Sequence, residues 1–90
     1  MTLKIAYRKK FEKELEKQKK RGKDLSKLRV VLQLIASGKE LPDRYRNHKL
    51  AGHFKERWEC HIELDWLLIY KLSGDELVLE RTGSHSDLFK

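Results

Sequence analysis

The apolar residues of this chain change their spacing near the middle of the sequence, and this change constrains the fold more than any other feature. Through residue 38 most of them recur at the three- and four-residue spacing of amphipathic helices, and after residue 57 they alternate as in strands. A helix with a single apolar face is unstable alone and needs a partner surface. The sequence therefore predicts helices packed on one face of a sheet.

Local signals place the predicted elements along the chain. Residues 2–7 alternate and predict a short first strand. A lysine-rich helix follows from Arg8 to near Gly22, and a second helix begins after Asp24 and ends before Gly38. Three further strands are predicted within residues 54–63, 65–72 and 76–82. The order β-α-α-β-β-β predicts one α+β domain over residues 1–90, a two-helix hairpin packed on a mainly antiparallel four-stranded sheet.

Two segments of this layout have distinct signatures. Residues 65–72 are apolar on both faces, which predicts a central strand. Residues 39–53 contain the only proline and show no period, so they predict a long connection. Long ordered loops in small domains are often functional.

The charge and cysteine content restrict the class of protein. Lysine and arginine total 21 against 14 acidic residues, a net charge of +7, which favours polyanions or an acidic protein as partner. The single cysteine, Cys60, cannot form an internal disulfide, and the first residues lack the apolar core of a signal peptide. The longest apolar run, residues 66–70, is too short to span a bilayer. These features predict a cytoplasmic protein with no membrane association.

Three histidines follow the polar side of the predicted sheet. His61 lies on the polar face of one strand, His48 in the connection before it, and His85 just after the last strand. Asp65 begins the next strand beside His61. We expect these side chains to converge at one edge of the sheet. Imidazoles both take and give protons near neutral pH, so such a group is suited to acid-base catalysis.

Simpler interpretations of the same residues remain open. A single exposed histidine, such as His48 taken alone, is usually an ordinary surface residue, and His61 also fits a solvated strand face. A zinc site would be expected to show a Cys pair or an H-x-x-x-H motif, and the sequence has neither. We therefore predict a site that needs no metal or cofactor.

Cleavage of RNA is a reaction that would use this set. The ribose 2′-hydroxyl attacks the adjacent phosphate, one side chain takes its proton, and another protonates the departing 5′ oxygen. Cations would bind the backbone, and an aromatic ring such as Trp66 would stack a base. Phe89 would then fasten the C-terminal tail so that His85 is held at the phosphate.

The motifs also resemble a known family. The segments NHKLAGHFKERWECHIELDWLLIYKL and ERTGSHSDLF are similar to the YafQ branch of the RelE/ParE bacterial toxins, and the resemblance covers nearly the whole chain. The spacing within HIELDW and RTGSHSDLF is specific. The matching positions are His48, His61, Asp65 with Trp66, His85 and Phe89.

The resemblance implies a function and a role for each matching residue. Such toxins share the β-α-α-β-β-β fold, belong to type II toxin-antitoxin systems, and inhibit translation by cutting mRNA in the ribosomal A site without a metal. The resemblance implies acid-base roles for His48, His61, Asp65 and His85. It also implies that Phe89 supports the bound mRNA. We expect His85 to be the general acid, with the other three as alternative bases. Further candidates for RNA binding are Arg81, Arg57, Lys55 and Trp66.

The resemblance also implies partners and leaves alternatives. Toxins of this kind are neutralised by an acidic antitoxin of the RelB/DinJ type, which itself binds the operator DNA. The related ParE toxins keep the fold but inhibit DNA gyrase, so one alternative is a non-enzymatic inhibitor of gyrase or of translation. A basic RNA-binding domain with no toxicity is a further alternative. The histidine set favours the nuclease, since a protein-binding inhibitor would not need it.

Overall fold

The computed structural model describes residues 2–52 and 56–89. Within these residues, two long helices pack on one face of a five-stranded sheet, and a short third helix follows the last strand. The elements are β1 (Lys4–Tyr7), α1 (Lys9–Lys20), α2 (Leu25–Ala36), a 3₁₀ turn (Asp43–Tyr45), β2 (His48–Lys49), β3 (Trp58–Glu63), β4 (Trp66–Ser73), β5 (Glu76–Gly83) and α3 (His85–Leu88).

The sheet has the order β1-β5-β4-β3-β2. β1 runs parallel to β5 and every other pair is antiparallel, which confirms the predicted α+β class and the mainly antiparallel sheet. The prediction of four strands was one too few, because His48 pairs with Glu59 and Lys49 with Trp58 to form β2. A polar strand of two residues at the sheet edge carries no alternating apolar signal.

Both predicted helices form where the sequence indicates. The side chain of Asp24 accepts a hydrogen bond of 2.9 Å from the backbone N–H of Ser26 and so caps α2. Gly22, just after α1, adopts φ +88°, a conformation that favours glycine. The apolar stripe of α2 faces the sheet, and Val31 at its centre is fully buried. None of the described helices has the length and apolarity needed to cross a bilayer.

Apolar residues are buried on both faces of the sheet. The larger cluster lies between the helices and the sheet and includes Phe11, Leu28, Val31, Ile35, Cys60, Ile62, Trp66, Leu68, Tyr70, Leu77 and Leu79. The smaller cluster, on the opposite face, consists of Leu67, Ile69 and Leu88, with Leu50 packed against it. In the part of the chain that the structure describes, this second face is only partly covered, which leaves room for a site beside the small cluster.

The tail after β5 is held differently from the sequence prediction. Leu88 of α3 is 7% exposed and packs in the smaller cluster, whereas Phe89 is 42% exposed. The prediction that Phe89 fastens the tail was therefore wrong. The apolar residue that is buried is the one on the inner side of the helical turn, and the sequence analysis did not predict that turn.

The single cysteine is part of the larger cluster. Cys60 has no exposed surface, and burial, with a further contribution from the charge of Glu59, raises the pKa of its thiol to about 12. At neutral pH the sulfur is therefore a protonated apolar group. It contributes packing and has no role in the site described below.

Candidate active site

Alternation along β3 separates its side chains between the two faces of the sheet. Cys60 and Ile62 point into the larger cluster, so Glu59 and His61 lie on the opposite face. β2 pairs with β3 so that His48 lies directly across from Glu59. The sheet thus gathers two of the predicted histidines around one carboxylate.

Glu59 occupies the space between the two imidazoles. Its side chain is 7% exposed, and its Oε1 lies 3.5 Å from His48 Nε2 and 3.6 Å from His61 Nε2. The sequence analysis missed this residue, because a charged side chain in an alternating strand looks like solvated surface. The available signal was its spacing, since residues two apart in a strand share a face and Glu59 precedes His61 by two.

His48 is oriented by the backbone of its own segment. Its Nδ1 lies 2.8 Å from the carbonyl oxygen of Arg46. A carbonyl can only accept, so Nδ1 carries the proton and, in the neutral ring, Nε2 is the nitrogen that can accept one. Arg46 itself adopts the left-handed conformation, with φ +48°, which is uncommon outside glycine.

His85 is the first residue of α3 and is held by Asp65. Oδ1 of Asp65 accepts a hydrogen bond of 2.9 Å from the backbone N–H of His85 and lies 2.8 Å from the ring Nδ1. These two bonds, the backbone one first, lower the pKa of the Asp65 carboxyl, so it is ionised at neutral pH. The ring centroids of His85 and His61 are 5.6 Å apart. The structure therefore brings together all three predicted histidines and Asp65.

Asp87 ties α3 to α1 and was not predicted from the sequence. Its carboxylate accepts two hydrogen bonds from Arg21, of 2.7 and 3.1 Å, and one of 2.9 Å from the backbone N–H of Ser84. The Ser84 hydroxyl in turn accepts a hydrogen bond of 3.1 Å from the backbone N–H of Asp87, which completes a capping box. The Arg21 bonds, together with those from Ser84, hold the pKa of Asp87 well below its usual range. The carboxylate thus stays charged and fixes the turn that carries His85.

The backbone at Gly83, where β5 ends, passes close to the side chain of Asp87. A Cβ atom on Gly83 would lie 2.9 Å from the Cβ of Asp87, a distance that real Cβ contacts do not tolerate. Buried Gln18 of α1 also donates to Asp87, at 3.4 Å. Glycine at this position therefore lets Asp87 fold back against the end of β5.

Of the residues predicted to bind RNA, Trp66 and Arg81 are engaged within the protein. Trp66 is fully buried, and its Nε1 donates to the Thr82 hydroxyl at 2.9 Å, so the prediction that it stacks a base was wrong. The residue follows a turn and its face was not fixed by the sequence. Arg81 donates to both carboxylate oxygens of Glu14, from Nε to Oε1 at 2.9 Å and from Nη2 to Oε2 at 2.7 Å, which offsets its charge.

The other predicted RNA-binding residues are placed as follows. Arg57 Nε donates to Glu80 at 3.2 Å. Lys55 lies outside the described residues. The ring of Phe89 lies 6.4 Å from that of His85 and is 42% exposed, so it is accessible beside the histidine. A role in binding RNA stays a prediction for these residues.

One subset of the site has the geometry of a metal site. Glu59, His61 and His85 each offer a ligand atom, and these atoms lie within 4.8 Å of one another. Two imidazoles and a carboxylate suit divalent ions such as Zn²⁺, Cu²⁺ or Ni²⁺. The spacing rule used on the sequence could not find this set, because one of its ligands comes from the distant tail. An ion bound there would occupy the nitrogens that proton transfer needs.

The arrangement as a whole is suited to moving two protons. Glu59 lies between His48 and His61, and Asp65 orients His85. Nδ1 of each imidazole is engaged, by the Arg46 carbonyl at His48, the Leu64 carbonyl at His61 and Asp65 at His85, so Nε2 is the nitrogen of each ring that can exchange a proton. A general acid and a general base on opposite sides of a reacting group are what phosphodiester cleavage through the 2′-hydroxyl requires.

Comparison with known proteins agrees with this geometry. Residues 3–90 match the family model described as a bacterial toxin of type II toxin-antitoxin systems, YafQ. The mRNA interferase toxin YafQ of Escherichia coli K12 is 40% identical over 86 residues, which cover 94% of each chain.

Solved structures give the same result. YafQ in the E. coli DinJ–YafQ toxin-antitoxin complex superposes with a TM-score of 0.91 at 37% identity, covering 100% of both chains. A metal-bound toxin from Helicobacter pylori gives a TM-score of 0.91 at 40% identity, covering 97% of this chain and 99% of that one. The chain therefore belongs to the YafQ family of type II toxin-antitoxin toxins.

Proposed function

We propose that this toxin is an endoribonuclease that cuts mRNA on the ribosome, in the bacterial cytoplasm, by acid-base catalysis that needs no metal. The observation that carries the proposal is the pairing of His61 and His85 at 5.6 Å between ring centroids, each beside a carboxylate. The name of the E. coli relative, an mRNA interferase, supports the same substrate. The net charge of +7 suits a surface that meets ribosomal RNA.

The reaction forms one bond and breaks one. The 2′-oxygen bonds to phosphorus as a general base takes its proton, and the bond from phosphorus to the 5′ oxygen breaks as His85 donates a proton to that oxygen. The products are a 2′,3′-cyclic phosphate and a 5′-hydroxyl. Each well-placed proton transfer contributes about 10² to 10⁴ in rate.

The geometry narrows the choice of base. Asp65 already accepts two hydrogen bonds from His85, and its lowered pKa makes it a weak base. We therefore assign Asp65 to orienting His85. His48 and His61 remain as the candidate bases, and Glu59 lies within 3.6 Å of the Nε2 atom of each.

We also propose an antitoxin as the protein partner of this toxin. The E. coli relative forms a complex with the antitoxin DinJ, and we propose that a cognate acidic antitoxin of this type neutralises the present toxin. The basic surface favours an acidic partner. Contact with operator DNA would then be indirect, through the antitoxin.

Substitution of the proposed general acid tests the reaction. His85→Ala should lower mRNA cleavage at least tenfold while ribosome binding changes little, because only proton transfer is removed. Ser86→Ala, at the exposed neighbouring position in α3, is the matched control and should cut normally. Cleavage is measured by mapping mRNA 5′ ends in bacteria that express each variant.

Normal cleavage by His85→Ala would contradict the catalytic assignment. Growth arrest without new 5′ ends, and unchanged by histidine substitutions, would instead indicate a non-enzymatic inhibitor of the ParE kind. Toxicity that depends on the charge of the helices and not on the histidines would support the same conclusion.

A further inference from the structure

A groove lies along the edge of β3 beside His61 and Ile62, beyond the residues of β3 that pair with β2. It lies between α2, the 3₁₀ turn with the residue after it, and the turn that joins β3 to β4, and its volume is about 480 Å³. This is within the range of pockets that hold small molecules. His61 lines the groove and also belongs to the histidine cluster, so the two share this residue.

The groove has apolar walls that solvent reaches. Val30 of α2 is 47% exposed and Leu64 of the β3–β4 turn is 81% exposed, although both are large apolar side chains. Buried Tyr45 and Ile62 line the groove as well. Exposed apolar surface of this kind beside a polar cluster is typical of a binding site. A flat nucleobase would cover it, since bases pack on aromatic and apolar side chains.

The charges around the groove suit a phosphate. Three cations line it, Lys27, Arg44 and Arg46, against one carboxylate, Glu63. Lys27 Nζ lies 2.7 Å from Glu63, so these two largely balance each other. The guanidinium of Arg44 lies 4.9 Å from the centre of the Tyr45 ring and donates to its hydroxyl. The two arginines therefore give the groove a net positive charge on a wall held by local contacts.

The wall of the groove is connected to the catalytic cluster through Arg46. This residue has the left-handed φ of +48°, and its carbonyl accepts the Nδ1–H of His48 at 2.8 Å. Non-glycine residues in this conformation are concentrated at binding and catalytic sites. A ligand that presses on Arg46 would contact the segment that orients a candidate base.

From these observations we propose that the groove binds the nucleotide next to the scissile phosphate and contributes to the choice of cleavage sequence. The inference rests on the proposed function, because it takes the substrate to be RNA held at His61. The base lies against Val30, Leu64 and Ile62, and its phosphate lies near Arg44 and Arg46. A segment of the antitoxin is the competing occupant, and the binding measurements below distinguish it from RNA.

A matched pair of variants tests the site. Val30→Asp places a carboxylate in the groove, and Val30→Asn places an uncharged group of the same shape there. Because position 30 is half exposed, both should fold. Binding is measured by fluorescence anisotropy with a single-stranded 2′-O-methyl RNA decamer, which lacks the attacking hydroxyl and cannot be cut. We expect the Asp variant to bind about three to ten times more weakly than the Asn variant, because its carboxylate offsets part of the positive charge that Arg44 and Arg46 give the groove.

A second pair controls for the change in overall charge. Ser73 lies at the other end of β4, so Ser73→Asp and Ser73→Asn should bind the decamer equally. Equal binding by the two Val30 variants, or no binding by the unsubstituted toxin, would overturn the inference. The inference would also be overturned if Val30→Asp weakened antitoxin binding and left decamer binding unchanged. The groove would then bind a protein partner. If Val30→Asp binds the decamer more weakly than Val30→Asn but the toxin cuts no mRNA, the inference about the groove holds and the proposed function is wrong.

Discussion

Two segments outside the long helices and central strands each carry one histidine of the site, and they are held by different forces. The tail that carries His85 is fixed by ionised groups, with Asp87 bonded to Arg21, and by burial of Leu88. The segment that carries His48 is fixed mainly by neutral bonds, through the carbonyl of Arg46 and the two-residue strand β2, and its ring also lies 3.5 Å from the Glu59 carboxylate.

The difference shows how a small domain positions groups from distant parts of its sequence. Near His48, the hydroxyl of Tyr70 donates to the Asn47 side chain at 2.6 Å, and neither group is charged. Near His85, the anchors are a buried apolar side chain and a carboxylate with cationic partners. We therefore expect the His85 side to respond to acid and to substitution more strongly than the His48 side.

The largest expected effect is that of Leu88→Ala. Removing a buried leucine side chain should lower the free energy of unfolding by about 2 to 4 kcal/mol, through lost burial and the cavity left behind. Urea unfolding measures this. Phe89→Ala is the matched control one residue away and should cost less than about 1 kcal/mol, because Phe89 is 42% exposed. If the two variants lost the same free energy of unfolding, Phe89 would anchor the tail as much as Leu88 does.

The next effect is that of Asp87→Asn. The variant keeps the shape of the side chain but loses the charge that holds Arg21, and we expect a loss of about 1 to 3 kcal/mol at neutral pH. Cleavage should fall more than binding to the ribosome, because His85 is carried by the same turn. A variant as stable and active as the unsubstituted toxin would show that the Asp87 bonds do not hold the tail.

The pH dependence of the free energy of unfolding, compared between the unsubstituted toxin and Asp87→Asn, tests whether the charge of Asp87 stabilises the fold. The pKa of Asp87 is lowered in the folded state, so its contribution to stability is fully present above the ordinary aspartate pKa of about 4 and is lost as the pH falls below it. The Asn variant has no such loss. The difference in unfolding free energy between the two proteins should therefore narrow between about pH 5 and pH 2. A constant difference would mean that the charge is not responsible.

The smallest expected effect is on the His48 side. Tyr70→Phe removes one hydrogen bond to an exposed Asn47, which water can replace, so we expect a loss of about 1 kcal/mol. Relative to the unsubstituted toxin, this loss should be the same at about pH 7 and pH 4, since both partners are neutral throughout. A loss larger than that of Asp87→Asn would reverse the proposed ranking of the two segments.

The fold was largely predictable from the sequence because its long elements bury regular apolar patterns. The stripe of α2 and the two-faced apolar run of β4 each indicate the surface that they cover. β2 and α3 were missed because both are short and mostly polar. The Ser84 and Asp87 capping box was nevertheless readable, since its two residues are three apart in the sequence.

The site was predictable only where chemistry depends on residue type. Three histidines and Asp65 could be placed on the polar side of the layout and were expected to converge. Glu59 and Asp87 could not be found in the same way, because a carboxylate becomes functional only through its partners. Asp87 and Arg21 are 66 residues apart, and periodicity carries no information about such a pair.

The burial of Cys60 makes this chain convenient for chemical labelling. Its thiol has no exposed surface and stays protonated at neutral pH, so it will not react with a maleimide dye. A cysteine introduced by Leu64→Cys would then be the one thiol that such a dye can reach. A fluorophore there would change its emission as a strand of RNA enters or leaves, and would follow occupancy of the groove in real time.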